Sequence, residues 1–136
     1  MLSPDGRTLY VTNNTNVRAF DVQPDGTTRN RRDFGALDGD NGGDGMAIDA
    51  TGRLYVTAAA GVRVLSPEGK HLGLIPTPAG RSRSLLRADK RTLYVPHLGA
   101  VGPDGKVWTT PEGVRNTAMT IDKITLLAKG FKGRPQ

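Results

Sequence analysis

A chain of 136 residues with 18 Gly and 9 Pro, but only three Phe and one Trp, has room for one core of short strands and many turns rather than long helices. The net charge of +6 raises nucleic acid and anionic membranes as partners. The basic residues, however, fall in scattered sets (Arg29, Arg31, Arg32; Arg81, Arg83, Arg87, Lys90, Arg91; Lys123, Lys129, Lys132, Arg134) without interleaved aromatics or a helical stripe, so neither partner is expected.

The absence of cysteine excludes a disulfide framework, a thiolate metal site and a cysteine nucleophile. No run approaches the roughly 18 apolar residues of a membrane helix, and the first six residues lack the regions of a signal peptide. The expectation is a soluble chain whose compartment is left open.

A turn followed by nearly the same strand occurs three times: Gly6-Arg7-Thr8-Leu9-Tyr10-Val11, Gly52-Arg53-Leu54-Tyr55-Val56 and Lys90-Arg91-Thr92-Leu93-Tyr94-Val95. The tyrosines lie 45 and then 39 residues apart, which suits a β-propeller blade of about 40 to 45 residues. The chain then holds about three blades, fewer than the roughly four to eight that close a ring. The expected fold is all-β: a partial propeller of four-stranded antiparallel sheets, with blades over 1–40 (incomplete), 41–80 and 81–136.

In the first repeat, strands are expected over Thr8 to Thr12, Val17 to Asp21 and Thr28 to Phe34, the last after the turn Pro24-Asp25-Gly26. An innermost strand would lie just before Ser3-Pro4-Asp5-Gly6, where only Met1-Leu2 stand. A truncated gene model, a fragment, or a piece completed by another chain would each explain this. The middle repeat reads as Met46 to Ile48, Arg53 to Thr57, Val62 to Leu65 and His71 to Ile75, separated by Gly- and Pro-containing reversals. In Val62-Arg63-Val64 the alternation sends the arginine away from the face that carries both valines.

The third repeat offers Leu93 to Val95, a turn at Gly102 to Gly105, a strand at Lys106 to Thr109 and a last apolar run from Met119 to Leu127. Its innermost segment, Arg81-Ser82-Arg83-Ser84-Leu85-Leu86-Arg87, makes a poor buried strand because each charge would need a partner or water. A local reading-frame error and an exposed or channel-facing strand both remain as explanations.

Chemistry concentrates in Asp38-Gly39-Asp40-Asn41-Gly42-Gly43-Asp44-Gly45. Grouped carboxylates suit a hard divalent cation, and glycines let backbone approach a ligand closely. An EF-hand reading fails, since its fifth position is Gly42, its twelfth is Asp49 rather than Glu, and no helices flank it. Composition alone favours a polar, glycine-rich loop between blades. In a propeller, a loop entering an innermost strand opens at the central channel, and Asp44 would be this blade's contribution there.

The run Asn41 to Asp49, with Gly52 to Thr57, Gly61 to Val64 and Pro67 to Lys70, resembles the gluconolactonase and regucalcin-like (senescence marker protein) family. The tail Gly105 to Asn116 and Lys129 to Arg134 is similar to the C-terminal end of bacterial gluconolactonase-like members. The resemblance implies a six-bladed propeller, of which this chain would be the C-terminal half. It also implies a channel metal held by a Glu, an Asn and an Asp. Only the Asp carries over, as Asp44, in the roles of metal ligand and catalytic carboxylate. The Glu is absent, the Asn would precede Met1, and an Asn common at the next blade is replaced by Arg81 to Ser84.

The implied activity is metal-dependent hydrolysis of a sugar lactone in the complete protein. Calcium is the first expectation for the cofactor, with zinc, magnesium or manganese as alternatives, and the implied partner is a small sugar lactone. A non-catalytic propeller scaffold that binds a partner or sugar acid is the alternative. Unpaired blade edges would invite self-association.

Other candidates are weaker. His71 and His97 lack metal spacing, no Gly-x-Ser-x-Gly elbow exists, and no phosphate-binding glycine loop leads into a helix. Tyr10, Tyr55, Tyr94 and Trp108 read as packing residues. The sequon Asn13-Asn14-Thr15 carries no meaning by itself.

Overall fold

The computed structural model describes residues 1–40, 42–77, 85–86, 92–98, 103–104, 106, 111 and 119–126. Among the described residues, ten strands form three antiparallel sheets and there is no helix. The first sheet is β1 (Thr8–Asn13), β2 (Asn16–Val22) and β3 (Thr28–Ala36), in that order. The second is the meander β4 (Met46–Ile48), β5 (Leu54–Ala58), β6 (Gly61–Leu65) and β7 (His71–Pro76). The third joins β8 (Leu85–Leu86) and β10 (Met119–Thr125) to either side of β9 (Thr92–Leu98).

The strands expected in the first two repeats are all present, with ends displaced by a residue or two. Met1 and Leu2 lie where the innermost strand of the first blade is expected. Leu2 bridges Leu9, and the Tyr10 amide donates to the Met1 carbonyl at 2.7 Å. In the third repeat, Met119–Thr125 pairs directly with β9, from Met119↔Leu98 to Thr125↔Thr92. Leu85 and Leu86 pair with Tyr94 and Leu93, so this part of the arginine-rich segment is strand. The arginines around them, residues 107–109, Trp108 and the tail 127–136 lie outside the described residues.

The sheets stack with one core between each neighbouring pair. Tyr10, Val17 and Leu37 of the first sheet and its following loop meet Ile48, Leu54, Val56 and Leu65 of the second. Ala47, Tyr55 and Val62 on the opposite face of the second sheet meet Leu93, Val95 and Leu126. Covered on both sides, β5 is buried at all five residues, and this removes any alternation from its sequence. The outer strand β3 keeps the polar face its sequence shows, exposed from Thr28 to Asp33.

Two devices fix this packing. A side chain on Gly69 (φ +85°) would collide with the Phe34 carbonyl oxygen, and one on Gly35 would lie 2.5 Å from the Gly69 carbonyl oxygen. Only bare backbone lets the β6–β7 turn approach the end of β3 so closely. The second device is Asp49, wholly buried at the turn between β4 and β5. Its Oδ1 accepts from the Thr51 amide and hydroxyl and from the Arg53 amide, and its Oδ2 from Arg53 Nε and the Tyr55 hydroxyl. Burial opposes ionisation, but the bonds from Thr51 and Arg53 outweigh it and hold the Asp49 carboxyl below its ordinary range. Tyr10 and Tyr55 are the packing residues their spacing suggested, at 8% and 4% exposure.

Candidate functional site

The glycine-rich loop Asp38 to Gly45 runs from the end of the first sheet into β4, the innermost strand of the second. Asp38 (φ +52°), Gly39 (φ +74°) and Gly42 (φ +71°) take the left-handed conformation. Such conformations allow sharp bends between the first sheet and the second. The loop lies against the β1–β2 turn, where Asn14 also has positive φ, +53°. Asn14 Oδ1 accepts from the Gly42 amide and its carbonyl from the Gly43 amide, each at 2.9 Å. A side chain on Gly43 would stand 2.8 Å from Leu37 Cδ1 and 3.1 Å from the Asn14 carbonyl oxygen, so glycine fits where other residues would not.

Asp44 follows. Its amide donates to the Thr57 carbonyl at 3.1 Å, and its carbonyl accepts from Thr12 Oγ1 at 3.0 Å. Both hold the backbone on either side of an exposed carboxylate. Thr57, wholly buried, completes the anchor: its hydroxyl accepts from the Gly45 amide at 3.0 Å and donates to the Gly45 carbonyl at 3.2 Å. Asp44 is thus fixed by two sheets at once, through Thr12 on β1 and Thr57 on β5.

The other two carboxylates of the loop turn toward Arg63 of the second sheet. Asp40, 6% exposed at its side chain, accepts through Oδ2 from Arg63 Nε at 3.2 Å and from the Ala60 amide at 3.1 Å. Asp38 Oδ2 lies 3.3 Å from Arg63 Nη1 and 3.6 Å from His71 Nδ1. The composition of the loop suggested three oxygen donors for a cation, but the fold sets a guanidinium between two of them. Among the described residues, no three His, Cys, Asp or Glu side chains converge in a way that could hold a metal ion. Calcium takes about six to eight oxygens. The described residues therefore do not fit such an ion as a complete site, and Asp44 could supply one ligand.

The sequence pointed to Asp44 as a candidate but not to the residues that hold its backbone. Thr12, Asn14 and Thr57 carry no motif of their own. Arg63 was legible as pointing away from Val62 and Val64, which it does, but its near-burial against Asp38 and Asp40 was not. His71 sits at the edge of the Arg63 cluster, its Nε2 3.4 Å from Arg63 Nη1. His97 lies on β9, and its side chain is outside the described residues, as is all of Asn41.

Residues 1–98 match the family described as SMP-30/Gluconolactonase/LRE-like region. A gluconolactonase of Zymomonas mobilis subsp. mobilis is 34% identical over 94 residues, covering 61% of this chain and 26% of that protein. A solved gluconolactonase from Xanthomonas campestris, important in glucose secondary metabolic pathways, is similar with a TM-score of 0.62. It is 32% identical over 69% of this chain and 32% of its own. The chain spans about a quarter of the first relative's length and about a third of the second's.

Proposed function

Because the chain belongs to the SMP-30/Gluconolactonase/LRE-like family, we propose that it is part of a longer β-propeller enzyme that hydrolyses a sugar lactone. Asp44 is the carboxylate it brings to the reaction. The observation that carries this reading is the double anchorage of Asp44: backbone held at both its amide and its carbonyl, side chain exposed. A general base must be held in place before substrate arrives, since misplacement by about 1 Å can cost roughly 100-fold in rate.

In the proposed reaction, Asp44 accepts a proton from water as the water oxygen bonds to the lactone carbonyl carbon. The ring C–O bond then breaks, the released alkoxide takes the proton from Asp44 and so restores its carboxylate, and the product is the open hydroxy acid. The family resemblance adds a divalent metal, calcium first, with Asp44 as one ligand. The remaining donors would have to come from residues other than those described.

The test is lactone hydrolysis by the complete protein followed in a pH-stat. Asp44→Asn is expected to lower kcat/KM by about 100-fold or more, the size usual for a positioned base, with melting temperature unchanged. Undiminished turnover would overturn the role of Asp44. If no lactone is turned over by the unaltered protein, a binding scaffold becomes the better reading, as the pairing of Asp38 and Asp40 with Arg63 would allow.

A further inference from the structure

We propose that Arg63 is the positioning residue of this site, holding Asp44 by clamping the far end of its loop. This rests on the reading of Asp44 given above. Arg63 stands on β6 opposite Val56 and Leu74, on the face turned toward the first sheet, and only 11% of its side chain is exposed. From there its fork reaches two carboxylates of the loop, Nε to Asp40 and Nη1 to Asp38. A planar guanidinium can hold two carboxylates in fixed directions, and a lysine ammonium cannot.

The clamp has a physical need. Asp40 is nearly buried, and a buried carboxylate is costly without a cation or several donors. Arg63 and the Ala60 amide provide both, and they fasten the loop to the β5–β6 hairpin. Asp38 follows the fully buried Leu37 and bends the chain through positive φ. Asn14 then takes Gly42 and Gly43, and Thr57 and Thr12 take Asp44. Hydrogen bonds to Arg63 and Asn14 therefore bracket the reversal that delivers Asp44. Neither Asp38 nor Asp40 needs to touch substrate for this.

A double-mutant cycle in the complete protein tests the proposal. Arg63→Ala is expected to lower kcat for lactone hydrolysis by about 10-fold or more while KM changes less than about twofold, with Arg63→Lys recovering part of the loss. In an Asp44→Asn background the same Arg63→Ala change should alter kcat by less than about twofold, because Arg63 acts through Asp44. Should Arg63→Ala fail to fold, Asp38→Asn replaces it. That side chain is 64% exposed, so its loss spares the core while removing one half of the clamp.

On the chain itself, Arg63→Ala should speed amide exchange at Asp44 and Gly45 and leave Ile48 unchanged. Equal losses of kcat in both backgrounds, or no loss when Asp44 is needed, would overturn the positioning role and leave the reading of Asp44 intact. Full turnover by Asp44→Asn would overturn that reading and the positioning role with it.

Discussion

The Tyr55 hydroxyl donates to Asp49 Oδ2 at 3.1 Å across the turn that joins β4 to β5. It ties the repeated tyrosine of the second blade to the buried carboxylate of its own turn. The turn lies at the end of β4 opposite Asp44, so the strand that presents the candidate site at one end is fastened by this pair at the other.

Asp49 makes stability sensitive to acid. Its folded carboxyl titrates below the ordinary value of 3.8, so its contribution is complete above that value and is lost as pH falls through the lower folded one. Asp49→Asn is expected to cost about 1.5–3 kcal/mol near neutrality, the worth of hydrogen bonds to a charged group. It should also flatten the acid side of a melting-temperature profile. Asp5 and Asp25, held low by local hydrogen bonds, leave a residual slope in the variant.

Tyr55 acts at the alkaline end. Burial, then the nearby charge of Asp49, pushes its hydroxyl up to about 12 from 10, so its stabilisation is whole below pH 10 and is lost as pH rises through about 12. Tyr55→Phe should cost about 0.5–1.5 kcal/mol at neutral pH for the lost hydrogen bond. It should also remove the latest tyrosine from an ultraviolet titration and shrink the loss of stability over this range.

Gly69 and Gly26 separate backbone strain from close packing. Both have positive φ, +85° and +82°, but a side chain on Gly26 meets nothing within 4 Å and one on Gly69 meets the Phe34 carbonyl. Gly26→Ala should cost about 1–2 kcal/mol. Gly69→Ala should cost about 1–3 kcal/mol more, since the two sheets must shift apart. Denaturant unfolding of both variants measures the difference.

Thr57 and Asp44 should part company in the same way between stability and activity. Thr57→Val keeps the shape of a fully buried side chain but leaves the Gly45 amide without its hydroxyl acceptor, at a cost of about 1–3 kcal/mol. Asp44→Asn, at an exposed position, should change stability by less than about 0.5 kcal/mol and reduce turnover in the complete protein. Melting curves beside lactone hydrolysis rates give both readouts.

Self-association, if it uses sheet edges, should use β7 rather than β3. The edge of β3 carries Arg29, Arg31 and Arg32, and its pairing with β2 is broken by register shifts, both of which discourage edge pairing. By contrast β7 exposes Leu72 at 52% and Leu74 at 38%. Leu72→Lys with Leu74→Lys should lower any concentration-dependent rise in sedimentation coefficient. An unchanged rise would place the contact elsewhere.

The sequence by itself determined where the strands of the first two blades lie, because turn residues and alternation act over a few neighbours. It also brought Asp44 to notice, through a glycine-rich segment just ahead of an apolar run. Only the tertiary structure decided which side chains those carboxylates and their backbone meet. Asp38 and Asp40 are 25 and 23 residues from the arginine that holds them, and Asp44 is held by Thr12 at a distance of 32. Such partners are chosen by the stacking of sheets. A side chain's spacing within its own strand says which face it takes, but not what the next sheet will set against that face.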